Sequence, residues 1–310
     1  CHLREEIMQK KKEVLLISNF REDKQFSMLQ FGELLLKNGG FCEDFTIKNI
    51  FPSAVFGKIP LSSKVVKWAS YIDKYLIFPQ RLAKYLKQNP SIGLVHVIDQ
   101  SNSPYLKTVK KFSSAKRLVT CHDLIAIRTT QGDFSNAPKT SATGKRLQNW
   151  IQDSLPLADF YACDSEKTQK DLNRIVPLSS KSSRVIHLGT ESDSTKQTNS
   201  QTLDFDLSFD VSKTQYILHV GSAAWYKNRS AVFKSFLNAK NHPYGKKLKL
   251  VLVGPAPQPD EINAELCVSL KKYSSDVICL DNISRATLNH LYLHAKLLLF
   301  PSYSPNLYYF

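Results

Sequence analysis

Lys227 follows Gly221 by six residues in the segment Tyr216-Ile-Leu-His-Val-Gly-Ser-Ala-Ala-Trp-Tyr-Lys-Asn-Arg229. An apolar strand-like run ends there in a glycine, and the lysine opens a helical run. These residue types suit an anion. Glycine permits close backbone approach at the carboxyl end of a parallel strand, the free N–H groups of a helix starting near Asn228 favour negative charge, and Lys227 adds a full positive one. The spacing is neither a Walker A loop nor G-x-G-x-x-G, so a tight strand-to-helix turn with a solvated lysine is the competing reading. Leu250-Val-Leu-Val-Gly-Pro255 repeats the strand-then-glycine pattern, and Leu297-Leu-Leu-Phe-Pro-Ser302 ends a third strand in a turn. Ligands of open α/β sheets bind at that edge, which predicts a diphosphate-bearing ligand across Gly221, Lys227, Asn228, Gly254, Pro301 and Ser302.

A second chemical candidate is His122, which with Asp123 follows the apolar run Leu118–Cys121. At a strand's carboxyl end it could hydrogen-bond a substrate hydroxyl or act as an acid or base. No second histidine or carboxylate stands at metal-ligand spacing, so no metal site is expected. His96, His187 and His219 lie in strand candidates and read as structural.

The elements that must position these residues alternate between short β-branched runs and longer amphipathic ones, the signature of βαβ units around a parallel sheet. Strands are expected at Val14–Ser18, Leu94–Ile98, Leu118–Cys121, Tyr161–Cys163 and Val185–Leu188, with helices at Ser27–Lys37, Ser62–Lys87, Lys145–Ser154 and Ser165–Ile175. The pattern restarts with strands Tyr216–Val220, Leu248–Val253, Val277–Leu280 and Leu297–Phe300 and helices Asn228–Lys240, Ile262–Lys272 and Arg285–His294. The fold class is therefore α/β, with two doubly wound Rossmann-like domains at 1–190 and 215–310 and a polar linker at 191–214.

The 310 residues carry 42 Lys+Arg against 27 Asp+Glu, enough chain for two cores and too apolar for a disordered tail. Residues 1–190 hold 29 of the basic and 17 of the acidic residues, a net +12. Ser62–Lys87 interleaves Trp68, Tyr71, Tyr75 and Phe78 with six basic residues around Pro79. It reads as a membrane-surface helix pair, a nucleic-acid binder, or a core helix with a lysine-rich outer face. No nucleic-acid recognition motif accompanies the basic charge, so no nucleic-acid partner is expected. No run of about 18 apolar residues occurs. The six cysteines lack C-x-x-C spacing, and Cys121, Cys163 and Cys279 are expected to be buried thiols in a reducing compartment.

In order along the chain, Val119-Thr-Cys-His-Asp-Leu-Ile125, Ala158-Asp-Phe-Tyr-Ala-Cys-Asp-Ser-Glu166, Val185-Ile-His-Leu-Gly189, Ile217-Leu-His-Val-Gly-Ser222 with Lys227-Asn228, Leu250-Val-Leu-Val-Gly254 and Leu299-Phe-Pro-Ser302 resemble the retaining family 4 (group 1 type) glycosyltransferases of GT-B fold. The resemblance implies transfer of a sugar from a nucleotide-diphosphate donor to a glycan or lipid-linked acceptor, with no cofactor and no essential metal. It assigns Lys227 to the donor diphosphate, Gly221 and Ser222 to the loop beneath it, and His122 to the face of the transferred sugar. Asp123 and Arg229 are auxiliary candidates: Ser222 and Tyr226 stand at the places where many members carry an arginine beside the loop, and Arg229 is the residue that could compensate. The implied setting is glycan or cell-envelope assembly at the cytoplasmic face of a membrane, and the +12 charge of residues 1–190 adds an anionic membrane surface as an expected partner. A nucleotide-sugar epimerase or hydrolase of the same fold, or a non-catalytic nucleotide-sugar-binding protein, are the alternatives.

One departure stands out. Members follow Phe-Pro-Ser with a Glu-Gly-Phe-Gly motif and a second glutamate, whereas here Pro305 stands at the first glutamate's place and Phe310 follows soon after. With Cys1 rather than Met at the start, this predicts a fragment of a longer gene or a degenerate paralogue, an incomplete second domain and impaired catalysis.

Overall fold

The computed structural model describes residues 12–23, 25–39, 44–56, 63–177, 182–189, 209–257 and 264–303. The chain divides into two compact units, with the main division between Leu188 and Gly189. Each is built on a wholly parallel sheet.

The first unit contains β1 (Lys12–Ile17), α1 (Phe26–Gly39), β2 (Phe45–Ile50), α2 (Ser63–Ile72), α3 (Phe78–Gln88), β3 (Ile92–Val97), α4 (Leu106–Phe112), β4 (Lys116–Cys121), α5 (Ile125–Thr130), α6 (Ala142–Ser154), β5 (Phe160–Cys163), α7 (Glu166–Ile175) and β6 (Ser183–Val185). Its strand order is β2-β1-β3-β4-β5-β6. Alternation along β1 sends Leu15 and Ile17 into a core with Phe78, Leu82, Leu86, Leu106 and Val109, while Val14 and Leu16 pack with Ile98 against Phe31 and Leu35 of α1. Helices therefore cover both faces, as the near-continuous apolar strands require.

Sequence and structure differ in places. β2 was not expected, because an edge strand reading Phe-Thr-Ile-Lys-Asn-Ile carries too little apolar pattern; pairing with β1 makes it a strand. The stretch expected as one helix over Ser62–Lys87 is α2 and α3 joined by a π turn at Asp73–Ile77. Pro79 lies in the first turn of α3, where a missing N–H is best tolerated, and the wider i→i+5 turn precedes it. Serines cap three helices as local chemistry dictates: Ser141, Ser165 and Ser284 each accept from a backbone N–H three residues on.

The second unit contains β7 (Tyr216–Val220), α8 (Arg229–Lys240), β8 (Lys249–Val253), α9 (Ala264–Lys271), β9 (Val277–Leu280), α10 (Arg285–His294) and β10 (Leu297–Leu298), in the sheet order β10-β7-β8-β9. Tyr216, Leu218 and Val251 face Leu291 of α10, and Ile217, Leu250 and Leu252 face Val232, Phe233 and Phe236 of α8. Most of the expected linker lies outside the described residues. Phe209 and Val211, at its end, pack with Tyr216, so the second core begins before residue 215. Cys121 and Cys163 are buried partners in register on β4 and β5, whereas Cys279, expected to be buried, is exposed. The reason is that β9 is an edge strand with one face only partly covered. Cys1 and Cys42 lie outside the described residues. No helix among the described residues is long and apolar enough to cross a membrane.

Candidate functional site

The junction after β7 brings two glycines together, and at one of them, Gly254, only glycine fits. Gly221 N–H donates to the Val253 carbonyl at 2.9 Å, drawing the turn onto the end of β8. Gly254 has φ +135°, and a Cβ there would stand 2.2 Å from the Gly221 carbonyl oxygen. Both the dihedral and the close approach exclude a side chain. The chain then makes a 3-10 turn over Trp225–Lys227 and enters α8 through Asn228, a non-glycine residue at φ 53°. Lys227 folds back over the turn: its Cδ lies 3.7 Å from the position a Gly221 Cβ would take. Ser222 is exposed beside it.

The loop after β10 is tied to this junction. Asn228 Nδ2 donates to the Pro301 carbonyl at 3.0 Å while its Oδ1 caps α8 at Ala231 N–H. Tyr303 N–H donates to the Tyr226 carbonyl at 2.9 Å, and Tyr303 stacks on Trp225. His219, buried in β7, donates from Nδ1 to the Leu299 carbonyl at 2.8 Å. Its pKa is lowered by burial and by the charges of Arg229 and Lys227, against the opposing Leu299 bond, so the ring is neutral and registers a positive field. In the order β10-β7-β8-β9, the strands after β7 run to one side and β10 lies on the other, so the β7/β10 crevice is the sheet's topological switch point. That is where open α/β sheets bind ligands.

In the first unit, polar residues follow the strands' carboxyl ends: Asn19 after β1, Asp99 after β3, His122 after β4 and Asp164 after β5. All four are buried and hydrogen-bonded. Asn19 joins Asp99, Gln25 and Asn102. His122 is 2% exposed, with Nδ1 2.6 Å from Asp164 Oδ2, Nε2 2.8 Å from the Ile98 carbonyl, and Phe31 edge-on at 4.9 Å. Both partners are acceptors, so both ring nitrogens donate and the imidazolium form is favoured. Burial pulls its pKa down, but the Asp164 hydrogen bond, the charges of Asp164 and Asp99 and the Ile98 carbonyl outweigh it, and the pKa is raised.

Seven of the residues singled out in the sequence thus meet at one place: Gly221, Ser222, Lys227, Asn228, Gly254, Pro301 and Ser302 surround or hold the β7 turn. The side chain of Asn228 and the carbonyl of Pro301 are engaged with each other. Arg229 is buried within the unit rather than at the loop's surface. Asp123 accepts from Ile125 N–H at 3.1 Å and shapes the start of α5. His96 pairs with Thr120 at 2.7 Å inside the core. The sequence reading missed Asp164, Asp99, Asn19 and Asn102. Asp164, Asp99 and Asn19 share a signal, a polar residue just after an apolar strand, that was used for His122 alone; Asn102, within the turn after β3, carries no such signal. Among the described residues no group of three or more His, Cys, Asp or Glu could hold a metal ion.

By sequence, no family model and no curated protein matches the chain. By structure, sucrose-phosphate synthase from Thermosynechococcus elongatus is similar over 94% of this chain and 76% of that one, with TM-score 0.61 and 15% identity. HepE of Anabaena in complex with UDP and glucose is similar over 95% and 75%, with TM-score 0.58 and 11% identity. The trehalose-6-phosphate protein from E. coli bound with UDP-2-fluoro glucose is similar over 94% and 78%, with TM-score 0.56 and 13% identity. The fold is that of these proteins, two Rossmann-like parallel α/β units of the GT-B class.

Proposed function

We propose that this chain is a retaining glycosyltransferase that takes a sugar from a nucleotide-diphosphate donor bound at the β7 turn. The observation that carries the reading is the placement of Lys227 over Gly221, beside the start of α8 and at the β7/β10 switch point. When a glycosidic bond to a diphosphate breaks, negative charge grows on the leaving phosphate. A fixed ammonium and a helix N-terminus stabilise that charge without reorganising. Similarity in fold to proteins bound with UDP or a UDP-sugar supports a nucleotide-sugar donor.

Within this reading, Gly221, Ser222, Lys227 and Ser302 face the donor, while Gly254, Asn228 and Pro301 hold the loops that present them. His122 acts through position and charge in its network with Asp164 and Asp99. Proton acceptance at Nε2 would need the Ile98 contact to open. The acceptor is a glycan or lipid-linked chain, and the +12 charge of residues 1–190 supports work at an anionic membrane surface on its cytoplasmic side.

Calorimetry with UDP and GDP tests the donor site. Lys227→Ala should weaken the bound nucleotide by about 1.5–3 kcal/mol, the range for a charge-assisted hydrogen bond. Undiminished affinity in a folded variant would overturn the assignment.

A further inference from the structure

We infer that the α2–π–α3 helix of the first unit carries an apolar ridge that inserts into an anionic lipid bilayer. The inference rests on the membrane part of the proposed function and names the surface responsible. Trp68, Ile72 and Leu76 leave 65%, 42% and 57% of their surface exposed, at positions i, i+4 and i+8. In a straight α-helix such a series drifts steadily around the axis. The π turn at Asp73–Ile77 is wider, so the step from Ile72 to Leu76 runs back toward the line of Trp68. Phe78 and Leu82, by contrast, face the core.

Two further contacts enlarge the surface. Asp73, buried next to Ile72, accepts from Val55 N–H at 3.0 Å and Phe56 N–H at 3.2 Å. This pins the segment after β2, whose Val55 and Phe56 side chains are also exposed. On the other flank, Tyr71 stacks on Tyr75 at 5.9 Å, and Tyr75 meets the exposed Trp150 of α6 at 5.0 Å. Aliphatic tips bordered by tryptophan and tyrosine match the layered polarity of a bilayer interface, with rings at headgroup depth and alkyl groups below.

Charge selects the occupant. Residues 63–88 contain six basic side chains and one acid, Asp73, which is buried; one of the six, Lys74, is ion-paired with Asp23 and does not count toward the surface charge. Arg81, Lys84 and Lys87 are exposed on α3, as are Lys145 and Arg146 on α6 one turn before Trp150, with one exposed acid, Asp153, on the turn after it. An apolar ridge rimmed by cations and free of exposed acids on its own helix is complementary to anionic headgroups, each nearby cation adding to the attraction. A neutral glycan or an ordinary protein partner needs no such excess.

The test uses the full chain and two vesicle preparations, phosphatidylcholine alone and phosphatidylcholine with an equal part of phosphatidylglycerol. The chain should sediment with the anionic vesicles, less so as salt rises, and only weakly with the neutral ones. Trp68→Ser/Ile72→Ser/Leu76→Ser should lose binding by at least about tenfold. Its UDP affinity should stay unchanged, which also reports folding of the second unit. Quenching of wild-type tryptophan fluorescence by nitroxide-labelled lipid, diminished in Trp68→Phe, provides a readout that does not depend on the triple variant folding. Absence of wild-type sedimentation, equal binding to both vesicles, or quenching unaffected by Trp68→Phe would overturn the ridge. Vesicle binding without UDP binding would keep the ridge and sink the donor site, so the two failures are distinct.

Discussion

Asn228 and Pro301, 73 residues apart, are joined by a hydrogen bond from the Asn228 side-chain amide to the Pro301 carbonyl at 3.0 Å. The same side chain caps α8 through its oxygen. One residue at φ 53° thus fixes the helix that follows the β7 turn and the loop that follows β10. It holds both walls of the switch-point crevice.

Asn228→Ala should therefore cost about 1–3 kcal/mol, combining a lost cap, a lost hydrogen bond and an unfavourable left-handed backbone. Asn228→Gly should cost less, because glycine tolerates that backbone. Urea denaturation of both variants measures the difference. Equal losses would show that the backbone conformation contributes nothing.

Gly254→Ala should be more damaging. The added Cβ would meet the Gly221 carbonyl at 2.2 Å, on a backbone at φ +135°. Strain and forced displacement together predict a loss of roughly 2–5 kcal/mol and a displaced β7 turn. Calorimetric UDP affinity should fall with stability. A variant as stable as the parent would contradict the close packing of the two turns.

His122 makes a signed prediction about pH. Its raised pKa means that its stabilisation is complete below the unfolded value of about 6.5 and is lost as pH rises through the folded value. His96 titrates the other way: burial first, and the charge of His122 next, lower its pKa to about 4, so it favours unfolding as pH falls from about 6.5 towards that value. In a His96→Gln background, the stability gap between His122 and His122→Asn should be widest in mild acid and narrow towards alkaline pH. Denaturation midpoints across that range check it, and a gap that grows with pH would refute the imidazolium assignment.

Thiol labelling should separate the cysteines by burial. Cys121 is buried, and its hydrogen bonding to Cys163 together with burial pushes its thiol well up, so the pair should react only on unfolding. Cys279 is exposed, although partial burial also raises its thiol, and it should label in the native protein, slowly and faster at alkaline pH. Peptide mapping after brief treatment with a thiol reagent distinguishes the sites. Native labelling of Cys121 would mean that β4 opens readily.

Much of this molecule is local and was legible in the sequence. Tyr216–Val220 and Val277–Leu280 are strands, and Arg285–His294 a helix, because apolar period, β-branching and a capping serine act between neighbours in the chain. The glycines and lysine of the β7 turn were legible for the same reason. Tertiary structure decided what depends on partners far along the chain. Sheet pairing made Phe45–Ile50 a strand, and an edge position turned Cys279 outward. The partner of His122, Asp164, lies 42 residues away, so its sequence position offered a free acid or base, whereas the fold buried it with both nitrogens engaged. A composition of interleaved basic and aromatic residues could not say which side chains of Ser62–Lys87 face out. That depended on the π turn and on the core beneath it, which buried Phe78 and left Trp68, Ile72 and Leu76 exposed.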